Sequence, residues 1–454
     1  MNQSPYSEIA ARHGIDPESV KPASKDERLE QLKQILVCND VPHPISPAEQ
    51  VAYLSVAKQG LPFGIGPFGI GNRTEGGLPH RLVDLHKYAN FQTYEDYSFE
   101  EHLSWACLVA DQQLTKHQYA CQEYLDGESL FEIGGATIPD FYLLNARIYQ
   151  QTGWQLATVS EIIPAELFFT CHSQKFFPVT TFMRPLETDY LEEPDIGHDV
   201  AGHVATFTIP AVANVMKNHG LARDLIYAER NQQISEVAPD DLIAIELISQ
   251  HADKLLAYAG RIYWFTVEFG LVMQKSSQPK TIRRIRKRRN TIRCFGAGIL
   301  SSPGETTFSV ESQQPNRILI DPSNDADLLR LANTDYLISE FQKTYFISKS
   351  FELLDSLTPE RIFHAAKAAM ELPDYTWREI APGDTVIDVG TECTSVNEKY
   401  WRLMANQPLD TCLRRTAIHN LEMYARGVTP EILAQFQTPP PAVPDEVLDW
   451  YRER

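Results

Sequence analysis

The chain has 454 residues, which at roughly 100 to 200 residues per domain gives room for about two to four domains and a sizeable core. Acidic residues outnumber basic ones by 60 to 41, a net charge of −19 with histidine neutral, so the average surface repels phosphates and anionic lipid and argues against nucleic acid as a partner. Apolar residues at 43% and charged residues at 22% are globular proportions, no apolar run approaches the roughly 18 to 20 residues of a membrane helix, and the start lacks a signal-peptide pattern. The expectation is therefore a cytoplasmic protein with no membrane attachment.

Residues 1–23 are polar and rich in helix breakers, and Ser24-Lys25-Asp26-Glu27 forms a capping box ahead of Leu29, Leu32, Ile35 and Leu36, so order is expected to begin there. The Gly- and Pro-rich stretch 59–80 predicts a long loop. Its Gly64-Ile-Gly66-Pro-Phe-Gly69 lacks the strand before and the helix after that a dinucleotide fingerprint needs. A module boundary falls near 98. Amphipathic helices are predicted at Glu100–Asp126, Ile138–Thr152 and Ile209–His219.

The run Lys280 to Arg289 packs seven positive charges into ten residues, a solvated insertion or a contact for an acidic partner. Between 375 and 390, two β-type runs about Ala381-Pro-Gly-Asp384 predict a hairpin. A helix follows, with Leu413, Ala417, Ile418, Leu421 and Tyr424 on one side, and then the extended strap Thr438 to Pro444. Hairpin and helix together suggest a subunit contact, although the helix would pack equally well on its own core. The seven cysteines stand singly and in odd number, which points to reduced, mostly buried thiols rather than disulfides or a Cys-type zinc site.

Two segments carry chemistry. In Glu193-Pro-Asp-Ile-Gly-His198-Asp-Val-Ala-Gly-His203, two imidazoles five residues apart sit beside acids among small apolar residues. On an ideal α-helix that interval differs by about 140° in azimuth, so both converge on one ion only near a helix end; two satisfied core histidines fit the spacing as well. In Ile262 to Met273 the single charged residue is Glu268. A carboxylate in an apolar interior needs a cation, a hydrogen-bond network or a raised pKa, so Glu268 is either a metal ligand or a buried partner of an arginine. Two neutral imidazoles and a carboxylate on one face of a metal make the triad associated with non-heme Fe(II) oxygen activation.

EPDIGHDVAGHV, IYWFTVEFGL and CFGAGILSSPGE stand here in the order and spacing of the tetrahydropterin-dependent aromatic amino acid hydroxylases. Thr152-Gly-Trp154, Ile163-Pro-Ala-Glu-Leu-Phe-Phe169, Phe177 to Arg184 and Phe341 to Phe346 also resemble the bacterial phenylalanine 4-hydroxylases. The resemblance covers about 98–360.

The fold it implies is mainly α with short β hairpins, a helical basket like the catalytic domain of these hydroxylases. That gives an N-terminal extension (1–97), a catalytic iron and pterin domain (98–360) and a C-terminal extension (361–454) available for homo-oligomerisation.

Carried over by residue, the resemblance makes His198, His203 and Glu268 the iron ligands. It places Phe168 against the pterin ring, with Ile163 and Ala165 beside it and Asp199 and Glu305 at the pterin edge. Arg184 and Ser301 hold the amino acid carboxylate, Asp195 orients Arg184, and Pro194, Trp264 and Phe269 line the aromatic pocket. The implied cofactors are Fe(II) and a tetrahydropterin such as tetrahydrobiopterin. The implied reaction is hydroxylation of an aromatic amino acid with O2, L-phenylalanine to L-tyrosine first, and a pterin-recycling enzyme is implied as a partner.

Tryptophan, or another ring position of phenylalanine, is the alternative substrate reading, although Trp264 favours a phenylalanine or tyrosine type pocket. More distant readings are a zinc hydrolase on the same ligands and a non-catalytic binding protein on the same fold. The chain departs from the family at Ala201 and Ala205, where relatives carry bulkier residues, and at the insertion 275–290. Residues 1–97 show no regulatory-domain pattern.

Overall fold

The computed structural model describes residues 6–37, 88, 92–186, 194–274, 291–381 and 383–392. The chain divides into two compact units, Met1–Leu221 with Ala297–Thr306, and Ala222–Gly296 with Thr307–Arg454. Helix dominates the described residues, as expected, and the strands are short.

In the first unit, helix Phe99–Tyr119 starts at a complete capping box between Ser98 and Glu101 and buries Leu103, Trp105 and Ala106. The single helical stretch predicted over Glu100–Asp126 is broken. Ala120 and Cys121 adopt extended backbone, and helix Gln122–Leu130 begins after them.

Helix Phe141–Thr152 is capped by Asp140, whose side chain accepts from the amides of Tyr142 and Leu143, and it ends at Gly153 in the left-handed region, φ 71°. A residue with a Cβ is strained there. β1 (Gln155–Val159), helix Ala165–Ser173 and β2 (Phe176–Thr180) then form a βαβ unit, with β1 and β2 parallel and buried throughout. Strands covered on both faces read as continuous apolar runs, and Phe176, Phe177 and Val179 supply one.

Order begins before Ser24, contrary to expectation. The Ser24–Glu27 box does start helix Lys25–Val37, but helix Ser7–Arg12 precedes it. Its Ala10 and the following Val20 pack with Leu103, Ala106 and Cys107. Tyr6 and Ile15 pack partly buried on the same cluster, and the Tyr6 hydroxyl donates to Glu100, so several scattered contacts hold a segment whose polar composition hid them.

In the second unit, helix Leu242–Tyr263 leads through a turn at Trp264–Glu268 into a five-stranded sheet. Its strands are β3 (Leu271–Gln274), β4 (Thr291–Cys294), β5 (Asn316–Ile320), β6 (Thr344–Ser348) and β7 (Thr385–Asp388), in the order β4-β3-β6-β5-β7. The β3–β6 and β6–β5 pairs are parallel, and the two edge pairs are antiparallel. Helices Asp325–Ala332 and Pro359–Ala369 pack with each other and with Leu242–Tyr263.

The hairpin expected at 375–390 is not formed. Its second run is β7, which pairs with β5, while Tyr375 makes an isolated bridge to Thr334. The distant edge of β5 outcompetes the near neighbour because Arg330 on helix Asp325–Ala332 grips Asp384 and the Glu379 carbonyl and fixes the intervening turn.

The described cysteines Cys107, Cys121, Cys171 and Cys294 form no disulfide and are buried. Among the described residues no helix is long and apolar enough to cross a membrane. The Gly-rich stretch 59–80, the basic run 280–289, the helix carrying Leu413 to Tyr424 and the strap 438–444 lie outside the described residues.

Candidate metal centre and substrate site

The histidine segment departs from α-helical geometry where the ligand argument required it. A short helical turn at Ile196–His198 runs into a π-turn at Asp199–His203 and then a 3-10 turn at Val204–Thr208. A π-turn closes its hydrogen-bonded ring from i to i+5, so a residue five positions on returns to about the same side. His198 and His203 accordingly bring their Nε2 atoms to 3.3 Å from each other.

Glu268 ends a second π-turn, Trp264–Glu268, in which the Phe269 amide donates to the Trp264 carbonyl at 2.9 Å, an i to i+5 bond. One ligand atom from each of His198, His203 and Glu268 lies within 4.8 Å of the others. Among the described residues this is the one cluster of three or more metal-ligating side chains.

The donor set fits a metal ion. Donors held about 2.1 Å from one ion at adjacent corners stand about 3 Å apart, close to the 3.3 Å between the two imidazoles. The tautomer of His198 agrees. The Ser301 hydroxyl donates to the Gly298 carbonyl and stands 3.1 Å from His198 Nδ1. Its oxygen is therefore placed to accept a proton from Nδ1, which leaves the Nε2 lone pair for a metal. His203 is 1% exposed, with its ring 4.5 Å from that of Phe177.

Arg184 and Asp195 form a buried fork. Arg184 Nε donates to Asp195 Oδ2 at 2.8 Å and Nη2 donates to Oδ1 at 2.7 Å. The same carboxylate accepts from the Arg184 and His198 backbone amides. Burial raises the Asp195 pKa, but the Arg184 bonds and charge and the two amides outweigh it and hold the carboxyl below its ordinary range.

Asp199 is 5% exposed and accepts from the amide and hydroxyl of Thr180. There burial dominates and pushes the carboxyl up to about 7. The Pro194 carbonyl accepts from the Thr180 hydroxyl as well.

Around the expected pterin position, Phe168 is half-buried with its ring 4.3 Å from that of His172, Ile163 is buried and Ala165 is exposed. His172 is fully buried, and burial followed by the neighbouring His203 and His219 holds it neutral, well below its ordinary pKa. Glu305 is 1% exposed in helix Pro303–Glu311.

On the Glu268 side, the Trp264 ring lies 5.4 Å from Phe269 and stacks at 4.3 Å on Tyr336. Tyr336 carries no motif and escaped the sequence reading. Burial first, with a contribution from the Glu268 charge, raises its phenol pKa.

The sequence profile of biopterin-dependent aromatic amino acid hydroxylases matches residues 82–260 and 243–363. The chain belongs to that family. It is 32% identical over 326 residues to the phenylalanine-4-hydroxylase of Chromobacterium violaceum, spanning 71% of this chain and 93% of the relative.

The structure of the Chromobacterium violaceum enzyme with iron(III) and oxidised 7,8-dihydrobiopterin matches with a TM-score of 0.52 at 30% identity, covering 67% of this chain and 96% of that one. The same enzyme with iron and phenylalanine bound matches with a TM-score of 0.52 at 31% identity, over 66% and 93%.

In this hydroxylase Ala201 and Ala205 lie in a closely packed segment. Both are buried, and a Cβ placed at Gly127 on helix Gln122–Leu130 would lie 2.5 Å from the Ala205 carbonyl oxygen. Gly202 plays the same part on the other side, where a Cβ would stand 2.9 Å from the Ala297 carbonyl. Backbone approach on both sides accounts for the glycines at 127 and 202; nothing in the structure explains the alanines at 201 and 205.

Proposed function

We propose that this chain is an Fe(II)- and tetrahydropterin-dependent monooxygenase that converts L-phenylalanine to L-tyrosine. The convergence of His198, His203 and Glu268 within 4.8 Å carries the reading. Family membership and relatives whose structures hold iron, dihydrobiopterin and phenylalanine support it. His198, His203 and Glu268 would hold the iron. Phe168 with Ile163 and Ala165 would hold the pterin, and Asp199 and Glu305 would stand at its edge.

Bound there, Fe(II) and the pterin would together activate O2 for attack on the ring. The chain's own residues bind and orient. Asp195 fixes the plane of the Arg184 guanidinium, so recognition of the substrate carboxylate by Arg184 and Ser301 needs no reordering of the fork. Pro194, Trp264 and Phe269 supply the apolar wall that excludes water around the substrate ring.

Residues 98–360 form the catalytic domain in this reading, supported by the family match over 82–363. The extension 1–97 precedes it, and 361–454 provides a homo-oligomer contact. We place the reaction in the cytoplasm, with a second enzyme returning the spent pterin to its reduced form.

The test is anaerobic reconstitution with Fe(II), then air, a reduced tetrahydropterin and each aromatic amino acid in turn, with products separated chromatographically. Iron-dependent formation of tyrosine from phenylalanine is expected. Absence of pterin oxidation coupled to any aromatic amino acid overturns the proposal.

A further inference from the structure

Lys116 stands in the last turn of helix Phe99–Tyr119 with 1% of its surface exposed. Burying an ammonium costs several kcal/mol unless its protons are all matched, and here all three are. Lys116 Nζ donates to Glu128 Oε1 at 2.7 Å, to the Ala201 carbonyl at 2.8 Å and to Gln112 Oε1 at 3.0 Å. Tyr124, fully buried on helix Gln122–Leu130, directs its phenol proton at the same Ala201 carbonyl and at the adjacent carbonyl of Gly202. Both donors come from helices with no metal ligand of their own, and both act on the midpoint of the turn between His198 and His203.

The contacts continue to the first imidazole. Gln112, which accepts from Lys116, donates from Nε2 to the Ser301 carbonyl at 2.9 Å. The Ser301 hydroxyl meets His198 Nδ1 at 3.1 Å. One connected set of hydrogen bonds thus holds the backbone between the ligands and the outer nitrogen of one of them.

A π-turn is a costly backbone arrangement seen mostly at functional sites, and its carbonyls are not all taken up by the regular helical ladder. We infer that Lys116 and Tyr124 are positioning residues that hold the His198–His203 turn in the geometry that binds metal. They set the spacing of the two Nε2 atoms from behind, as outer partners of metal ligands do when they fix ring orientation.

The inference rests on the metal assignment proposed above, and its test separates the two. Full-length protein stripped of metal is titrated with Co(II), whose visible absorption reports ligand geometry, and affinity is read by calorimetry. Three proteins are compared: wild type, Tyr124→Phe, which removes one hydroxyl and keeps the ring, and Lys116→Met combined with Glu128→Leu, which removes the buried pair without stranding a charge. Thermal melts of the metal-free forms are recorded alongside.

Wild type is expected to bind one Co(II), and each variant to bind it about 10–100-fold more weakly with an altered visible spectrum, by more than any change in the metal-free melt explains. If the double variant does not fold, Tyr124→Phe alone decides. Wild-type Co(II) affinity and spectrum in a folded Tyr124→Phe overturn the inference and leave the metal assignment standing. No Co(II) binding by wild type overturns the metal assignment, and this inference with it.

Discussion

Arg184 and Asp195 are tied by three hydrogen bonds, two from the guanidinium and one from the Arg184 amide, and the same carboxylate caps the turn that begins at Ile196 and carries His198. The residue proposed to bind the substrate carboxylate and the segment proposed to hold the metal are therefore anchored to one acid. Arg184→Lys keeps the charge and loses the planar fork, so KM for the amino acid is expected to rise more than kcat falls. Arg184→Ala strands a buried carboxylate and is expected to cost about 3–5 kcal/mol of stability as well. Steady-state kinetics and urea melts of the two variants check this.

His198→Ala and Glu268→Ala are each expected to lose iron while the fold persists. The loss of affinity should exceed the roughly 10–100-fold typical of an outer partner. Metal analysis after Fe(II) reconstitution and desalting, with circular dichroism as the control for folding, reads both effects. Retained iron in both variants refutes the ligand assignment.

Asp327 offers a pH dependence away from the site. Burial above all, with the charges of Asp384 and Asp321, lifts its carboxyl from 3.8 to about 7, against the pull of the Asp321 amide it accepts from. The native state thus holds this proton more tightly than the unfolded chain does. The associated stability is present below about pH 4 and is lost as pH rises toward 7. Asp327→Asn removes the titration, so its urea midpoint is expected to exceed that of wild type at pH 8 and to match it more nearly at pH 4.

Truncation separates the C-terminal segment from the sheet. Deletion from Trp377 removes β7 and strips Arg330 of its buried partner Asp384, a loss of about 3–5 kcal/mol. Deletion of 393–454 spares both. The shorter deletion is expected to change the sedimentation profile with little effect on turnover per site, and the longer one to lower the melting temperature sharply. An unchanged profile after the shorter deletion rules out an oligomer contact in that segment.

The proposed ligands were legible because apolar surroundings isolate them: Glu268 is the only charge between Ile262 and Met273, and a buried acid demands a reason. The sequence could not show how His198 and His203 meet, since their interval suits no α-helix and a π-turn leaves no compositional mark. Arg184 with Asp195 was legible through family likeness. Lys116 and Tyr124 were not, because a lysine late in an amphipathic helix reads as solvated, and its burial depends on the approach of helix Gln122–Leu130. The strand run near 385 was recognisable and its partner was not. A local pattern names a β segment, while the free edge it joins lies some 70 residues earlier, Arg317 facing Asp388.

Because both imidazoles ride on one π-turn, the count of residues between them behaves as a ruler and not as a loop length. One residue more or fewer would swing His203 by about 80–100° around the local axis and aim it at the protein interior. Surface loops in general tolerate changes of length, whereas an interval that fixes the relative direction of two side chains does not. On the proposed ligand assignment, any descendant of this sequence that gains or loses a residue there is expected to lose oxygen chemistry in a single step.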